Sequence, residues 1–162
     1  MPHGLSYDPF GNVWLTDVAL HQVFRYDRQQ LERPAVVLGE RFVPGRDAAH
    51  FCKPTDVQVS AKTKLVYVSD GYCNGRVVVL SYDGKFVKQF GQDQKMQVAH
   101  SLSLIEELDL VCVADRERGR ALCYDAGIRN RNKLGEFRKE LRPFQAPSAN
   151  SQLYAIQNLG NS

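Results

Sequence analysis

The chain lacks any long apolar run: none of its hydrophobic stretches approaches the ~18–20 residues that a bilayer-spanning helix needs. It also lacks a strong excess of one charge. Its 21 Lys+Arg against 18 Asp+Glu leave a formal +3 over 162 residues, which excludes a polycation built for non-specific nucleic-acid binding. No CxxC spacing joins its four cysteines, so a structural zinc site of the usual kind is not indicated. Residues 1–10 (MPHGLSYDPF) show no basic segment followed by an apolar one, so no signal peptide is visible in them; that absence says nothing about compartment. Helical periodicity is nearly missing. Only Asn132–Leu141 offers a helical stretch, and Gly135 weakens it. What is present, 43% hydrophobic and 24% charged residues, suits a folded domain and excludes a disordered tail or a collagen-like chain.

The strongest positive signal is an internal repeat. Three segments, starting at His3, Thr55 and His100, each carry an apolar residue two places on (Leu5, Val57, Leu102) and then a short turn. A run of strand formers follows: Val13-Trp-Leu-Thr16, Leu65-Val-Tyr-Val-Ser69 and Leu110-Val-Cys-Val-Ala114. Each run ends in Asp, at offsets of 14, 15 and 15 from the segment start (Asp17, Asp70, Asp115). A turn and another strand come next: Gln22–Tyr26, Arg76–Leu80 and Arg120–Tyr124. A last strand closes each unit at Ala35–Leu38, Lys85–Phe90 and, less clearly, Leu134–Phe137. Four short strands in about 40–50 residues is the signature of a β-propeller blade. A β-sandwich with coincidental spacing competes with it, but a fixed Asp offset in three units favours the propeller.

The fold expected is therefore an all-β propeller with NHL-like blades at about 3–38, 55–90 and 100–141, and the start of a further blade at 153–162. Propellers close with about 4–8 blades. Three leave open edges, so the chain reads as a partial propeller spanning residues 1–162. Loops such as 39–51, 91–98, 125–132 and 142–152 are turn-rich surface connections, where propellers place function. The basic cluster Arg129, Arg131 and Lys133 has no interleaved aromatics, which argues against nucleic-acid binding.

In a propeller frame, His3 and His100 hold the same repeat position two blades apart, with Thr55 between them. Imidazoles converging on one axis suggest a metal, most readily zinc; the bland alternative is two histidines bonded to backbone. The alternate-blade pattern puts a third ligand about 97 residues further on, outside this chain. His21 and His50 fall outside the frame. Asp17, Asp70 and Asp115 read as turn formers whose carboxylates cap backbone N–H groups. Just beyond them stand Tyr72, a candidate base if held near cations, and Arg116, able to hold a carboxylate bidentately. Packing and solvated surface are the plain alternatives. Cys52, Cys73, Cys112 and Cys123 allow three pairings, and four free thiols remain an equal alternative.

These stretches also carry a family resemblance. Pro2-His-Gly-Leu-Ser6, Trp14–Phe24, Phe51-Cys-Lys-Pro-Thr-Asp56, Val68-Ser-Asp-Gly-Tyr-Cys-Asn74, His100-Ser-Leu102 and Cys112-Val-Ala-Asp-Arg-Glu117 together resemble the lyase domain of the peptidylglycine α-amidating enzyme, over about residues 2–141. The resemblance implies a six-bladed propeller, of which about three blades are here. It implies a carbon–nitrogen lyase that cleaves peptidyl-α-hydroxyglycine to a peptide amide and glyoxylate.

By the same resemblance, His3 and His100 are two of three zinc ligands, Tyr72 is the catalytic tyrosine and Arg116 an active-site arginine. The Leu5 carbonyl contacts a structural calcium, and the disulfides are Cys52–Cys73 and Cys112–Cys123. The third zinc histidine and a further arginine belong to regions absent from the chain, so this polypeptide alone is expected to be inactive. The implied partners are peptidyl-α-hydroxyglycine substrates and a monooxygenase domain in the same full-length protein, with no nucleic acid and no transmembrane segment in this chain. The implied location is the secretory pathway, in a secretory vesicle or outside the cell. A non-enzymatic propeller scaffold that binds proteins through its loops is the competing function.

Overall fold

Runs of β-branched and aromatic residues, each broken by a tight turn, pair with their sequence neighbours as meanders. A computed structural model describes residues 1–142 and 152–158. Among these, twelve strands form three four-stranded antiparallel sheets. Sheet one comprises β1 (Pro2–Tyr7), β2 (Val13–Asp17), β3 (Gln22–Tyr26) and β4 (Val36–Leu38). Sheet two comprises β5 (Pro54–Val59), β6 (Val66–Asp70), β7 (Arg76–Leu80) and β8 (Phe86–Phe90). Sheet three comprises β9 (Ala99–Ile105), β10 (Leu110–Asp115), β11 (Arg120–Asp125) and β12 (Phe137–Leu141). In every sheet the spatial order is the chain order. The first strands adjoin one another, β1 beside β5 and β5 beside β9. This is three blades of a β-propeller, not closed into a ring. No helix among the described residues is long and apolar enough to cross a membrane.

The middle blade explains the packing. Every residue of β6 and β7 is buried, and alternate side chains go to opposite faces. Val66, Val68, Val78 and Leu80 join Trp14, Val23 and Val57 in a core between sheets one and two. Tyr67, Val77 and Val79 join Leu102, Val113 and Leu122 in a core between sheets two and three. Each fully buried side chain of this size contributes roughly 1.5–3 kcal/mol.

The recurring aspartates tie turns to cores. Asp70 Oδ1 accepts the Cys52 amide at 2.7 Å, and Asp115 Oδ1 accepts the Gln97 amide at 2.9 Å. Their Oδ2 atoms accept from Arg76 Nε and Arg120 Nε, both at 2.8 Å. The Arg76–Asp70 pair is fully buried. Arg76 also donates to the carbonyls of Asp47 at 3.2 Å and His50 at 2.8 Å, which pins the 39–51 loop to sheet two. In sheet one Gln22 stands in the arginine's place and donates to the Gly39 carbonyl at 3.1 Å. On the same loop, His50 Nδ1 lies 2.8 Å from Asp47 Oδ1, and its Nε2 lies 3.4 Å from Glu40 Oε2.

Two expectations for the 132–141 segment need correction. The stretch 132–141 is not helical. It holds a short 3-10 turn at Arg131–Lys133, and the fourth strand of sheet three is Phe137–Leu141 rather than Leu134–Phe137. Leu134 is pulled into the core between sheets two and three, and its carbonyl accepts Lys88 Nζ at 2.6 Å, so it serves as a plug instead of a ladder residue. Gly135 follows with φ 77°, and a Cβ there would stand 2.6 Å from the Phe90 ring. Residues 152–158 form no strand ladder, although the Leu153 amide donates to the Arg116 carbonyl at 3.1 Å. The rest of the expected further blade, 159–162, lies outside the described residues.

Removing Arg76 strands a buried carboxylate, so Arg76→Ala should cost about 3–5 kcal/mol, against about 1 kcal/mol for Gln22→Ala; denaturant titration of the intact protein measures both. His50 gives a pH signature. Its hydrogen bonds to Asp47 and then Glu40 raise its pKa above 6.5. A raised folded-state value stabilises fully below pH 6.5 and is lost as pH climbs through the folded pKa. Wild type should therefore melt above His50→Gln at acid pH, and thermal scans should show the gap closing as the solution turns alkaline.

Candidate functional site

The site begins with one surplus residue at the head of each innermost strand. Between the pairs Pro2↔Asp17 and Leu5↔Leu15, residues His3 and Gly4 oppose Thr16 alone. The same slip recurs between Pro54 and Asp56, where Thr55 is the extra residue, and between Ala99 and Ser101, where His100 is. A bulge disrupts the ladder locally and re-aims a side chain. Here it sends His3 and His100 toward the axis of the propeller, with ring centroids 5.0 Å apart.

Each imidazole is held by a carbonyl of the next segment along the chain. His3 Nδ1 donates to the Thr55 carbonyl at 2.8 Å, and His100 Nδ1 donates to the Tyr154 carbonyl at 2.7 Å. A carbonyl only accepts, so Nδ1 carries the proton, and in the neutral ring Nε2 is left with a lone pair. Burial pushes the His100 pKa down against the upward pull of the Tyr154 hydrogen bond, and the nearby Arg116 charge adds to the lowering, which favours that neutral form.

Both Nε2 atoms face one phenol. Tyr72 Oη lies 3.0 Å from His3 Nε2 and 3.3 Å from His100 Nε2, and accepts from Arg116 Nη1 at 3.3 Å. The phenol has one proton and two lone-pair nitrogens to satisfy. One donor is missing, and a cation held by the two nitrogens would satisfy their lone pairs. The donor set therefore fits zinc, which takes imidazole nitrogen readily. It is incomplete: among the described residues no group of three His, Cys, Asp or Glu is placed to hold a metal.

Tyr72 and Arg116 come from the turns after β6 and β10. The Cys52–Cys73 disulfide joins the residue after Tyr72 to the segment before β5, with Cα atoms 5.6 Å apart. Cys112–Cys123 bridges directly opposed residues of β10 and β11. The Arg116 guanidinium lies 5.2 Å from the Tyr72 ring and 5.5 Å from the Tyr154 ring. Glu117 Oε1 anchors it at 2.7 Å and is itself steadied through Oε2 by Gln152 Nε2 at 2.8 Å. Leu5 sits on β1 just below His3, exposed, on the wall of an axial cleft of about 370 Å³ shared with Asp56, Gln58 and Ser101.

Thr55, Asp56, Glu117, Gln152 and Tyr154 were not singled out from sequence as members of this cluster. Tyr154 had a signal: it follows His100 by 54 residues, much as Thr55 follows His3 by 52. His21 and His50 lie elsewhere. His21 Nδ1 accepts the Lys53 amide at 3.1 Å, and His50 stays with Asp47 on its loop.

An NHL repeat matches residues 51–80. The chain is 52% identical over 132 residues to the rat (Rattus norvegicus) peptidylglycine alpha-amidating monooxygenase, covering 76% of the chain and 14% of that protein. It is 47% identical over 134 residues to a probable peptidyl-alpha-hydroxyglycine alpha-amidating lyase of Caenorhabditis elegans, covering 79% of the chain and 38% of that protein. The chain thus spans well under half the length of these relatives. Among solved structures, a streptogramin B lyase superposes with a TM-score of 0.68 at 11% identity, over 98% of this chain and 45% of that one, a likeness of fold alone.

The Cys52–Cys73 bridge closes a 21-residue separation beside Tyr72, worth roughly 3 kcal/mol in the chain-entropy model. The double variant Cys52→Ser/Cys73→Ser should lose about that much stability and broaden the Tyr72 ring resonances. Melting and NMR of the intact protein read the two effects.

Proposed function

We propose that this chain, a member of the family of peptidylglycine α-amidating monooxygenases and peptidyl-α-hydroxyglycine α-amidating lyases, forms part of a zinc-dependent peptidyl-α-hydroxyglycine lyase that yields a peptide amide and glyoxylate. The observation that carries the reading is the meeting of two imidazole Nε2 atoms, one phenol and one guanidinium at a single point. A scaffold that merely presents loops has no need of it.

His3 and His100 would hold the zinc through Nε2, with a third ligand from outside the described residues. Bound there, zinc supplies Lewis acidity toward a substrate oxygen. Tyr72 Oη, having first given up its own proton, would accept that of the substrate α-hydroxyl as general base. The oxygen's electrons would then form the C=O of glyoxylate as the C–N bond breaks, and the departing amide nitrogen would take the proton that Tyr72 had accepted. Arg116, whose Nη1 already donates to Tyr72 Oη, stabilises negative charge on the phenol oxygen. Its guanidinium also suits the carboxylate of the hydroxyglycine. Glu117 and Gln152 keep it in place, so its charge is oriented before substrate arrives.

The Leu5 carbonyl is an oxygen donor of the hard type that a structural calcium takes. Two disulfides suit an oxidising compartment, which supports a location in the secretory pathway, in vesicles or outside the cell. A monooxygenase domain in the same full-length protein would supply the hydroxylated substrate.

Tyr72→Phe in the intact protein should cut glyoxylate release from a peptidyl-α-hydroxyglycine by about 10²–10⁴-fold, the usual worth of a general base, while zinc content stays at the wild-type level. Undiminished release removes Tyr72 from the base role. No release from wild type itself discards the lyase reading in favour of the scaffold.

A further inference from the structure

The middle blade has no histidine at the bulge, yet its two residues there touch both of its neighbours' imidazole segments. The Thr55 carbonyl accepts from His3 Nδ1 at 2.8 Å and from Thr16 Oγ1 at 3.1 Å. The Thr55 side chain points the other way. Its hydroxyl has one proton, and its shortest carbonyl contact, 2.7 Å, is to Ala99, the residue before His100. The Ser69 hydroxyl, also 2.7 Å from Thr55 Oγ1, can then donate in return.

Asp56 grips the far side of His100. Its Oδ2 accepts the Ser101 hydroxyl at 3.1 Å and the Leu102 amide at 2.8 Å, while its Oδ1 accepts the Val57 amide at 2.8 Å. His100 is therefore bracketed, with Ala99 held before it and Ser101 and Leu102 held after it, by the same dipeptide that supplies the carbonyl for His3. Hydrogen bonds to a carboxylate are shorter and stronger than neutral ones. The blades come close enough for this only because two glycines give way. A Cβ on Gly4 would stand 2.4 Å from the Thr55 carbonyl oxygen, and one on Gly71 would stand 1.9 Å from the Ala99 carbonyl oxygen.

We infer that Thr55 and Asp56 are positioning residues, a two-residue template that sets the separation and tilt of the His3 and His100 imidazoles across the blade between them. The inference rests on the metal-site reading above, but its geometry does not require the metal to be present. Neither residue is assigned a place among the reacting atoms. Each acts through the backbone around an imidazole, as partners behind metal ligands do when they fix a ring's orientation.

The test uses the intact protein, with zinc alone as the probe. Thr55→Val and Asp56→Asn should weaken zinc binding by about 10–100-fold, the usual effect of losing such partners. Thr55→Ser keeps the hydroxyl and should bind as wild type does. Asp8→Asn is the control for stability alone: Asp8 joins the first two blades by accepting Trp14 Nε1 and Tyr82 Oη at 2.9 and 2.6 Å. It should lower the melting temperature and leave zinc affinity unchanged.

Unaltered affinity in Thr55→Val and Asp56→Asn, or an equal loss in Asp8→Asn, overturns the template. If Asp56→Asn does not fold, the Thr55→Val and Thr55→Ser pair decides. If wild type binds no zinc, the metal-site reading fails, and the template is then judged on metal-free imidazole ¹⁵N–¹H spectra. Displaced His3 and His100 ring signals in Thr55→Val support it, and unchanged signals refute it.

Discussion

Each innermost strand enters its sheet with one residue more than its partner can match, and the ladder accommodates the surplus by turning that side chain out of the pleat. In the first and third blades the surplus includes a histidine; in the second it is Thr55. The turned side chain would be an orphan on an isolated sheet. It is useful only because a neighbouring segment brings a carbonyl to it, the Thr55 oxygen for His3 and the Tyr154 oxygen for His100. The bulge and the packing of successive segments are thus one constraint, and the protonation pattern of the site follows from it. Carbonyls claim both Nδ1 protons, which leaves Nε2 as the atom each ring presents to Tyr72.

The cores and the polar clamps divide the labour. Apolar side chains of β6 and β7 fill the space on both faces of the middle blade and hold the three sheets at propeller spacing. Hydrophobic contact is non-directional, so it does not set the pitch of an imidazole. Directional bonds do that, through the Asp–Arg pairs that anchor the turns, the disulfide beside Tyr72 and the short bonds of Thr55 and Asp56. Arg116 shows the same division. Two aromatic rings flank its guanidinium, but Glu117 and Gln152 aim it.

Much of the architecture was legible in advance because its causes are local. Period-two runs, turn-forming residues and a fixed Asp offset announce four-stranded units, and three sheets appear where three were read. Local signals mislead where tertiary contact overrides local preference. The 132–141 stretch has a few helix formers, but Leu134 is drawn into a core that belongs to two sheets at once, and the chain must recover its strand at Phe137. No local property of that segment reports the hole it fills. Similarly, the aspartates were read as capping groups, which Asp70 and Asp115 are, but the buried arginines that complete them, Arg76 and Arg120, were seen only as strand residues.

The candidate site divides along the same line. The chain's residues alone determined that His3 and His100 share a repeat position and that Tyr72 and Arg116 follow equivalent aspartates, since a repeat converts sequence offset into place around an axis. Only the tertiary structure decided that both rings present Nε2 to one phenol, that Arg116 donates to it, and that Thr55, Asp56 and Tyr154 lie behind the rings. Those facts depend on which carbonyl lies within about 3 Å of which nitrogen, a distance set by how neighbouring blades pack. No spacing along a single strand contains it.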